Sequence, residues 1–285
     1  METGILYIVA TPIGNLGDIT LRAIEVLGMV DLILAEDTRI SARLLRRYEI
    51  TTPVMAFHEH NEREMASRMV ARLEQGANIA LISDAGTPLL SDPGFHLVRL
   101  LRAQGKRVIP IPGPSAVVCA LSAGGLPMDR FVFEGFLPSK REARRRRLQA
   151  LAEETRTLVL YEAPHRILDA IRDITELFGG ERQGVIAREL TKTFETIHAG
   201  PIENLHDWLR KDENNRRGEF VLMIGGKPEE DNEGIGAEEL RTLHLVLEEL
   251  PIKKAVALTA RLTGRKRNAL YRLALQIMEK SRTIG

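Results

Sequence analysis

The chain has 285 residues, of which 44% are hydrophobic and 28% are charged, a balance typical of globular proteins with a sizeable core. Its single cysteine, Cys119, excludes an internal disulfide framework and a metal site built from cysteines. No apolar run reaches the roughly 18 residues that a membrane-spanning helix needs. The segment Met1–Gly4 lacks the layout of a signal peptide, so we expect a cytoplasmic protein that does not enter a membrane.

The formal net charge of +1 conceals two strongly basic segments. Residues 140–147 contain six Lys or Arg and one acidic residue, and residues 251–285 contain nine Lys or Arg and one acidic residue. Such concentration favours a polyanionic partner, because cations that neutralise phosphates release counterions. The alternative is an ordinary solvated helix face, which composition alone does not exclude.

The first part of the chain is predicted to alternate between strands and helices. The predicted strands are 5–9, 31–35, 53–57, 79–82 and 107–111, and the predicted helices are 19–27, 39–48, 61–75, 94–104 and 114–123. Leu32–Ala35 and Val108–Ile111 are continuous apolar runs, as expected of strands covered on both faces. Five βα units in sequence predict an α/β domain over 1–125 with a mostly parallel sheet.

The pattern changes near residues 124–130. Strands are predicted at 130–136, 157–161, 183–188 and 218–225, helices at 139–154, 164–177 and 201–211, and a polar, turn-rich stretch at 189–200. These elements predict a second α/β domain over 126–226, with more hairpin character than the first.

The remainder is predicted to be a linker followed by helices. Residues 226–236 are acidic and rich in Gly and Pro, which is typical of a linker. Over 237–285 leucines recur at helical spacing, and Gly264 separates two amphipathic segments with cations at the turn. That arrangement is similar to a helix-turn-helix.

Three rigid loops follow strands of the first predicted sheet: Thr11–Asn15, Ser83–Pro88 and Pro112–Ala116. Loops at the carboxyl ends of parallel strands are where open α/β sheets bind small molecules. None of the three matches a dinucleotide or nucleoside-triphosphate motif. Their small residues leave backbone groups accessible, which favours an adenosine or amino-acid moiety, although ordinary βα turns are the alternative.

At these loops the sequence resembles the tetrapyrrole methylase superfamily. The resemblance is carried by Tyr7–Leu16, Glu36–Arg39, Phe57–Glu62, Ser83–Gly94, Pro112–Ala116, Glu134–Pro138, Tyr161–Arg166 and Arg188–Lys192. It spans residues 5–225 and extends to 251–275, and its branch is the one that acts on small-subunit ribosomal RNA.

The resemblance implies two α/β domains with S-adenosylmethionine in the cleft between them, usually in a homodimer. It implies methyl transfer to the ribose 2′-hydroxyl of a cytidine in the decoding region of 16S rRNA, within the small ribosomal subunit. The residues expected to bind the cofactor are Pro12, Ser83, Asp84, Ala85, Gly86, Thr87, Leu90, Ser115, Ala116, Tyr161, Glu162 and Leu190. The residues expected to bind RNA are Lys140, Arg141, Arg144, Arg145, Arg146, Arg147, Arg265, Lys266 and Arg267.

The acceptor hydroxyl must lose a proton, and a carboxylate, His or Lys can take it. Glu162, Glu189, Lys192 and His58 are candidates, of which we favour Lys192 and Glu189, three residues apart in a loop expected to face the cleft. Lys192 fits this role only if its surroundings lower its pKa.

A metal site is a further possibility that we do not favour. His58, Glu59, His60 and Glu62 form a cluster of potential ligands, but helix capping and polar contacts explain them equally well. Methyl transfer from a sulfonium requires positioning and no metal.

Two other functions stay open. The first is methylation of a small tetrapyrrole by the same fold and cofactor, which the extended basic segments argue against. The second is a non-catalytic RNA-binding assembly protein, which the three cleft loops argue against.

Overall fold

The computed structural model describes residues 3–228, 236–265 and 267–283. It divides into two compact units, Met1–Gly226 and Lys227–Gly285. Within these described residues, no helix combines the length and the apolar character that crossing a membrane requires. The boundary predicted between 125 and 126 falls inside the first unit, and the three-domain division stays a prediction.

The first half of the large unit is a parallel sheet with helices between its strands. In chain order the elements are β1 (Leu6–Val9), α1 (Leu21–Met29), β2 (Leu32–Ala35), α2 (Thr38–Arg47), β3 (Val54–Ala56), α3 (Glu62–Glu74), β4 (Ile79–Ile82), α4 (Phe95–Ala103), β5 (Val108–Ile111) and α5 (Ala116–Gly124). The sheet order is β3-β2-β4-β1-β5, and every pairing is parallel. The alternation predicted from sequence is confirmed, because strands covered on both faces form continuous apolar runs.

The second half is a mixed sheet. Its elements are β6 (Phe131–Phe136), α6 (Arg141–Leu151), β7 (Thr157–Glu162), α7 (Ile167–Phe178), β8 (Gln183–Arg188), β9 (Thr196–Pro201), α8 (Ile202–Lys211) and β10 (Phe220–Ile224). The order is β6-β7-β10-β8-β9, with β6 and β7 parallel and the other pairs antiparallel.

The prediction of a polar, turn-rich stretch over 189–200 was wrong in its second part. Strand β9 pairs with β8 along its whole length, from Thr196 opposite Arg188 to Pro201 opposite Gln183. The strand lies at the sheet edge and ends in Ala-Gly-Pro, a composition that predicts a turn. Pairing with the apolar strand β8 overrides that local preference.

An apolar layer joins the two halves of the large unit. Val117 and Leu121 of α5 and Ile13 of the first loop pack against buried residues of the second sheet, including Val159, Val185, Ala187, Val221 and Met223. Gly124 leaves no room for a side chain, because a Cβ there would lie 2.3 Å from the terminal carbon of Met223. The two sheets are therefore held in a fixed arrangement at the place where their loops meet.

The small unit is helical, as predicted. It contains α9 (Ala237–Glu249), α10 (Ile252–Thr263) and α11 (Arg267–Thr283). Its core includes Leu243, Val256, Leu270 and Ala274. Gly264 ends α10 in the left-handed conformation, as a glycine does after a helix.

Candidate functional site

The three predicted loops are bonded to one another at the carboxyl edge of the first sheet. Thr11 and Gly86 exchange two backbone hydrogen bonds of 2.9 and 3.0 Å, which join the first loop to the second. The Thr87 hydroxyl donates to the Pro114 carbonyl at 3.1 Å, which joins the second loop to the third. Because each loop is tied to another, the groups they present are preorganised.

A cavity of about 420 Å³ lies between these loops and the second sheet. Its volume falls in the range of small-molecule sites. Ten of the twelve residues predicted to bind the cofactor line it: Asp84, Ala85, Gly86, Thr87, Leu90, Ser115, Ala116, Tyr161, Glu162 and Leu190. The sequence therefore predicted residues from four separate segments that the fold brings together, and their cofactor role stays a prediction.

Pro12 and Ser83 stand behind the cavity. Pro12 is buried, and Ser83 is 2% exposed. The Ser83 carbonyl accepts a hydrogen bond of 3.1 Å from the Thr11 hydroxyl. Neither residue contributes to the cavity wall, and the Ser83 carbonyl holds the first loop through its bond with Thr11.

Backbone strain is concentrated beside the cavity. Five described residues other than glycine have positive φ, and four of them are Leu89, Ser91, Glu189 and Thr191, in the two loops that face each other across the site. Such conformations cost energy and persist where the surroundings enforce them. The first loop, Thr11–Asn15, directly contacts the loop that contains Glu189 and Thr191, since the Asn15 N–H donates to the Thr191 hydroxyl at 3.1 Å.

Gly14 is required at this contact. A Cβ on Gly14 would lie 2.5 Å from Cγ of Lys192 and 3.0 Å from the Leu190 carbonyl oxygen. The first loop and the loop after β8 consequently approach more closely than any larger residue allows.

Four carboxylates line the cavity: Asp84, Asp92, Glu162 and Glu219. Burial raises the pKa of Asp92 to about 6, opposed by hydrogen bonding with Ser83 and reinforced by the charge of Asp84. Burial likewise raises the pKa of Asp84. This side of the site is therefore acidic, with one carboxyl that titrates near neutral pH.

Glu162 is held on both oxygens. Its Oε1 accepts a hydrogen bond of 2.8 Å from the Ala163 N–H, and the Arg166 Nη2 donates to Oε2 at 3.3 Å. Burial raises the pKa of Glu162, although the backbone hydrogen bond and Arg166 oppose the shift. With its oxygens engaged, Glu162 is suited to orient a ligand rather than to take up a proton.

Lys192 does not meet the condition set for a proton acceptor. Its Nζ donates to Oε1 of Glu189 and to Oε2 of Glu219, both at 2.9 Å. Burial alone would lower the pKa of Lys192, but the hydrogen bonds with these carboxylates outweigh it and raise the pKa. Lys192 and Glu189 do not line the cavity. Lys192 therefore lacks the lowered pKa on which its expected role depends, and that role stays a prediction.

Within the histidine and glutamate cluster, Glu62 has a structural role. Glu62 is buried, and its Oε1 accepts N–H donors of Gly94 at 3.1 Å and His96 at 2.8 Å, at the start of α4. The carboxylate caps that helix N-terminus. Among the described residues, no group of three or more His, Cys, Asp or Glu is arranged to hold a metal ion.

The basic segment 140–147 divides into buried and exposed cations. The Arg144 guanidinium is 4% exposed, with Nη2 2.7 Å from Oδ2 of Asp173, and Arg141 and Arg145 also contact Asp173. Arg147 pairs with Glu134. Burial against Asp173 argues against RNA binding by Arg144, and its predicted role stays a prediction. Lys140 and Arg146 are exposed.

In the small unit, Arg265 contacts Glu239 at 2.8 Å. Arg267 is exposed at the start of α11. Lys266 lies outside the described residues.

Some cavity residues escaped the sequence prediction. They include Asp92, Phe136, Ala187 and Glu219. Asp92 and Phe136 lie in motifs that carried the resemblance, so the signal for them was present in the sequence. Ala187 and Glu219 carried none, because an alanine in an apolar strand and a glutamate beside a strand are ordinary.

The sequence matches two family models. The model described as "Tetrapyrrole (Corrin/Porphyrin) Methylases" matches residues 5–206, and that described as "RsmI C-terminal HTH domain" matches residues 233–277. The chain is 58% identical to a Pseudomonas aeruginosa protein named "Ribosomal RNA small subunit methyltransferase I", over 99% of this chain and 100% of the relative. Identity to the protein of the same name from Synechocystis is 46%, over 96% and 98%.

Solved structures show the same fold at low sequence identity. A uroporphyrin-III-C-methyltransferase from Thermus thermophilus aligns with a TM-score of 0.55 at 21% identity, covering 78% of this chain and 94% of that one. A diphthine synthase aligns with a TM-score of 0.59 at 14% identity, covering 78% and 90%. The predicted architecture of two α/β sheets is confirmed.

Proposed function

Because the chain belongs to the tetrapyrrole methylase family, we propose that it methylates small-subunit ribosomal RNA, at the 2′-hydroxyl of a cytidine ribose in the decoding region. The observation that carries this proposal is the sequence identity of 58% over the whole length of a small-subunit rRNA methyltransferase, helical segment included. Solved relatives of the same fold include an enzyme named for a tetrapyrrole, so the fold alone does not select the substrate.

The methyl donor in this proposal is S-adenosylmethionine, and the cavity fits it. A volume of about 420 Å³ is that of a small-molecule site, and the walls combine small residues of the cross-bonded loops with Asp84, Asp92 and Glu162. Carboxylates suit a ligand that carries a sulfonium and an ammonium and presents ribose hydroxyls. When bound, the donor supplies an electrophilic methyl group.

The residues of the chain then have three tasks. The cross-bonded loops fix the position of the donor, which is the main requirement of an in-line displacement. Glu162, fixed by Arg166, offers a carboxylate for orientation. Asp92 takes the proton of the acceptor hydroxyl, since its pKa of about 6 makes it ionised yet more basic than an ordinary carboxylate.

The test of the function is methyl transfer to purified small ribosomal subunits with S-adenosylmethionine, followed by mapping of 2′-O-methylation along the rRNA. We expect one modified cytidine in the decoding region. Methylation of a tetrapyrrole precursor instead would overturn the proposal, and absence of any methyl transfer together with retained rRNA binding would favour an assembly protein.

A further inference from the structure

Strand β6 contains a bulge that changes the face of the sheet on which the side chain of its last residue, Phe136, lies. Phe133 lies opposite Val159 and Phe136 lies opposite Tyr161, so three steps along β6 match two along β7. Glu134 is the extra residue, and Gly135 takes up the bend at φ +65°. A bulge re-aims the side chains that follow it, and such bulges occur next to active sites.

Without the bulge, Phe136 would lie on the opposite face of the sheet. Side chains alternate along a strand, so residues 133 and 136 would point to opposite faces. The extra residue instead places Phe136 on the face of Phe133 and Tyr161, which is the face that meets the first half of the molecule. The glycine is needed here, since a Cβ at Gly135 would also lie 3.0 Å from Oγ of Ser91.

The ring of Phe136 packs against a neighbouring aromatic ring and is partly exposed to solvent. Its centroid lies 5.5 Å from that of Tyr161, which in turn lies 5.1 Å from that of Phe133. Phe136 lines the cavity and is nevertheless 55% exposed. A large aromatic ring left open on a packed aromatic base is a surface on which another planar group can stack.

The charged residues around Phe136 indicate which kind of planar group can stack on its ring. Lys140, an exposed cation, follows Phe136 by four residues, which limits the Cα separation to about 14 Å. The four carboxylates of the cavity lie in other segments, at Asp84, Asp92, Glu162 and Glu219. A nucleotide, with a flat base and an anionic phosphate, matches an aromatic surface with a nearby cation.

We infer that Phe136 is the platform on which the nucleobase of the acceptor nucleotide stacks when that nucleotide leaves the RNA base stack. The inference rests on the proposed function and adds the part of the site that receives the substrate. Stacking there holds the acceptor nucleotide at the cavity, while the donor occupies the loops of the first half.

The test compares F136A, F136Y and the matched control F131A. Phe131 lies on the same strand and the same face, is 40% exposed and does not line the cavity. For each variant, the KM for small ribosomal subunits, the kcat and the calorimetric Kd for S-adenosylmethionine are measured, together with the melting temperature.

We expect F136A to raise the KM for subunits about ten-fold or more, as the loss of one base–aromatic stack does. F136Y should restore the KM to within about two-fold, and F131A should leave it unchanged. The Kd for S-adenosylmethionine should not change in any variant.

Two results would overturn the inference. An unchanged KM in F136A would show that no substrate group stacks there, and a weakened Kd for S-adenosylmethionine would assign the ring to the donor. Both leave the proposed function standing, whereas absence of methyl transfer by the unmodified protein would remove the function itself.

Discussion

At the scale of single residues, the chemistry of the site depends on how each carboxyl is paired. Glu162 and Glu189 were the carboxylates that sequence reasoning proposed, and the structure engages the first with Arg166 and the second with Lys192. Asp92 is half-buried and lines the cavity. A motif can thus identify a group of acids, whereas burial and pairing decide which of them reacts.

Asp92→Asn should lower kcat by about 10²- to 10⁴-fold, the usual contribution of a general base. In the unmodified protein, kcat/KM should rise about ten-fold per pH unit below about pH 6 and level off above it, because the carboxylate must be ionised. Steady-state kinetics between pH 5 and 9 provide the measurement. The control is Glu189→Gln; a larger loss in that variant than in Asp92→Asn would return the role to the loop after β8.

The same substitution should stabilise the protein at neutral pH. The folded state holds the Asp92 proton up to about pH 6, against an ordinary value of 3.8, so it binds more protons than the unfolded chain between these values. Stability consequently falls as pH rises through this window. An asparagine at this position does not ionise. We therefore expect Asp92→Asn to melt at a higher temperature than the unmodified protein at pH 7 and at the same temperature near pH 3.5. Equal melting temperatures at both values would contradict the raised pKa.

At the scale of elements, helices α6 and α7 are joined by an ionic cluster. Asp173 has a fully buried side chain, and Arg141, Arg144 and Arg145 all contact it. Burial raises the pKa of Asp173, but the hydrogen bonds from Arg144 and Arg145 outweigh it and lower the pKa. Four consecutive arginines in the sequence predicted a surface that binds RNA. In the structure, two of them, Arg144 and Arg145, contact Asp173 and hold α6 on α7.

Asp173→Asn should lower the free energy of unfolding by about 3 to 5 kcal/mol, because it leaves the buried Arg144 without a compensating charge. Urea unfolding measures the change. Asp169→Asn on the same helix is the matched control: its ion pair with Arg172 is exposed, so we expect less than about 1 kcal/mol. Similar losses in both variants would mean that the buried cluster contributes no more than a surface pair.

At the scale of the whole molecule, charge is segregated between segments. Nine Lys or Arg against one acid fall in residues 251–285, and the exposed cations Lys140 and Arg146 lie in the large unit. Our hypothesis is that these cations bind the phosphate backbone of rRNA, which makes affinity depend on salt.

Replacing Lys253, Lys254 and Arg267 with glutamine in the full chain should weaken rRNA binding and reduce its salt dependence. All three are exposed. Three lost phosphate contacts reduce the slope of log K against log salt by about 2 to 3. Filter binding at several salt concentrations measures the slope, and Arg144→Gln, which removes a buried arginine, should leave it unchanged. An unaltered slope in the triple variant would assign RNA binding elsewhere.

The sequence by itself predicted the order of elements except β9, the parallel first sheet and about half of the residues that line the cavity. Those features follow from apolar runs for buried strands, from Gly and Pro for rigid loops, and, for the cavity residues, from the resemblance to the tetrapyrrole methylases. Tertiary structure alone decided the rest. Strand β9 forms because β8 pairs with it, Phe136 faces the cavity because of a bulge at Glu134, and Arg144 is buried because Asp173 lies opposite. Each depends on a partner distant in the chain, which no local pattern records.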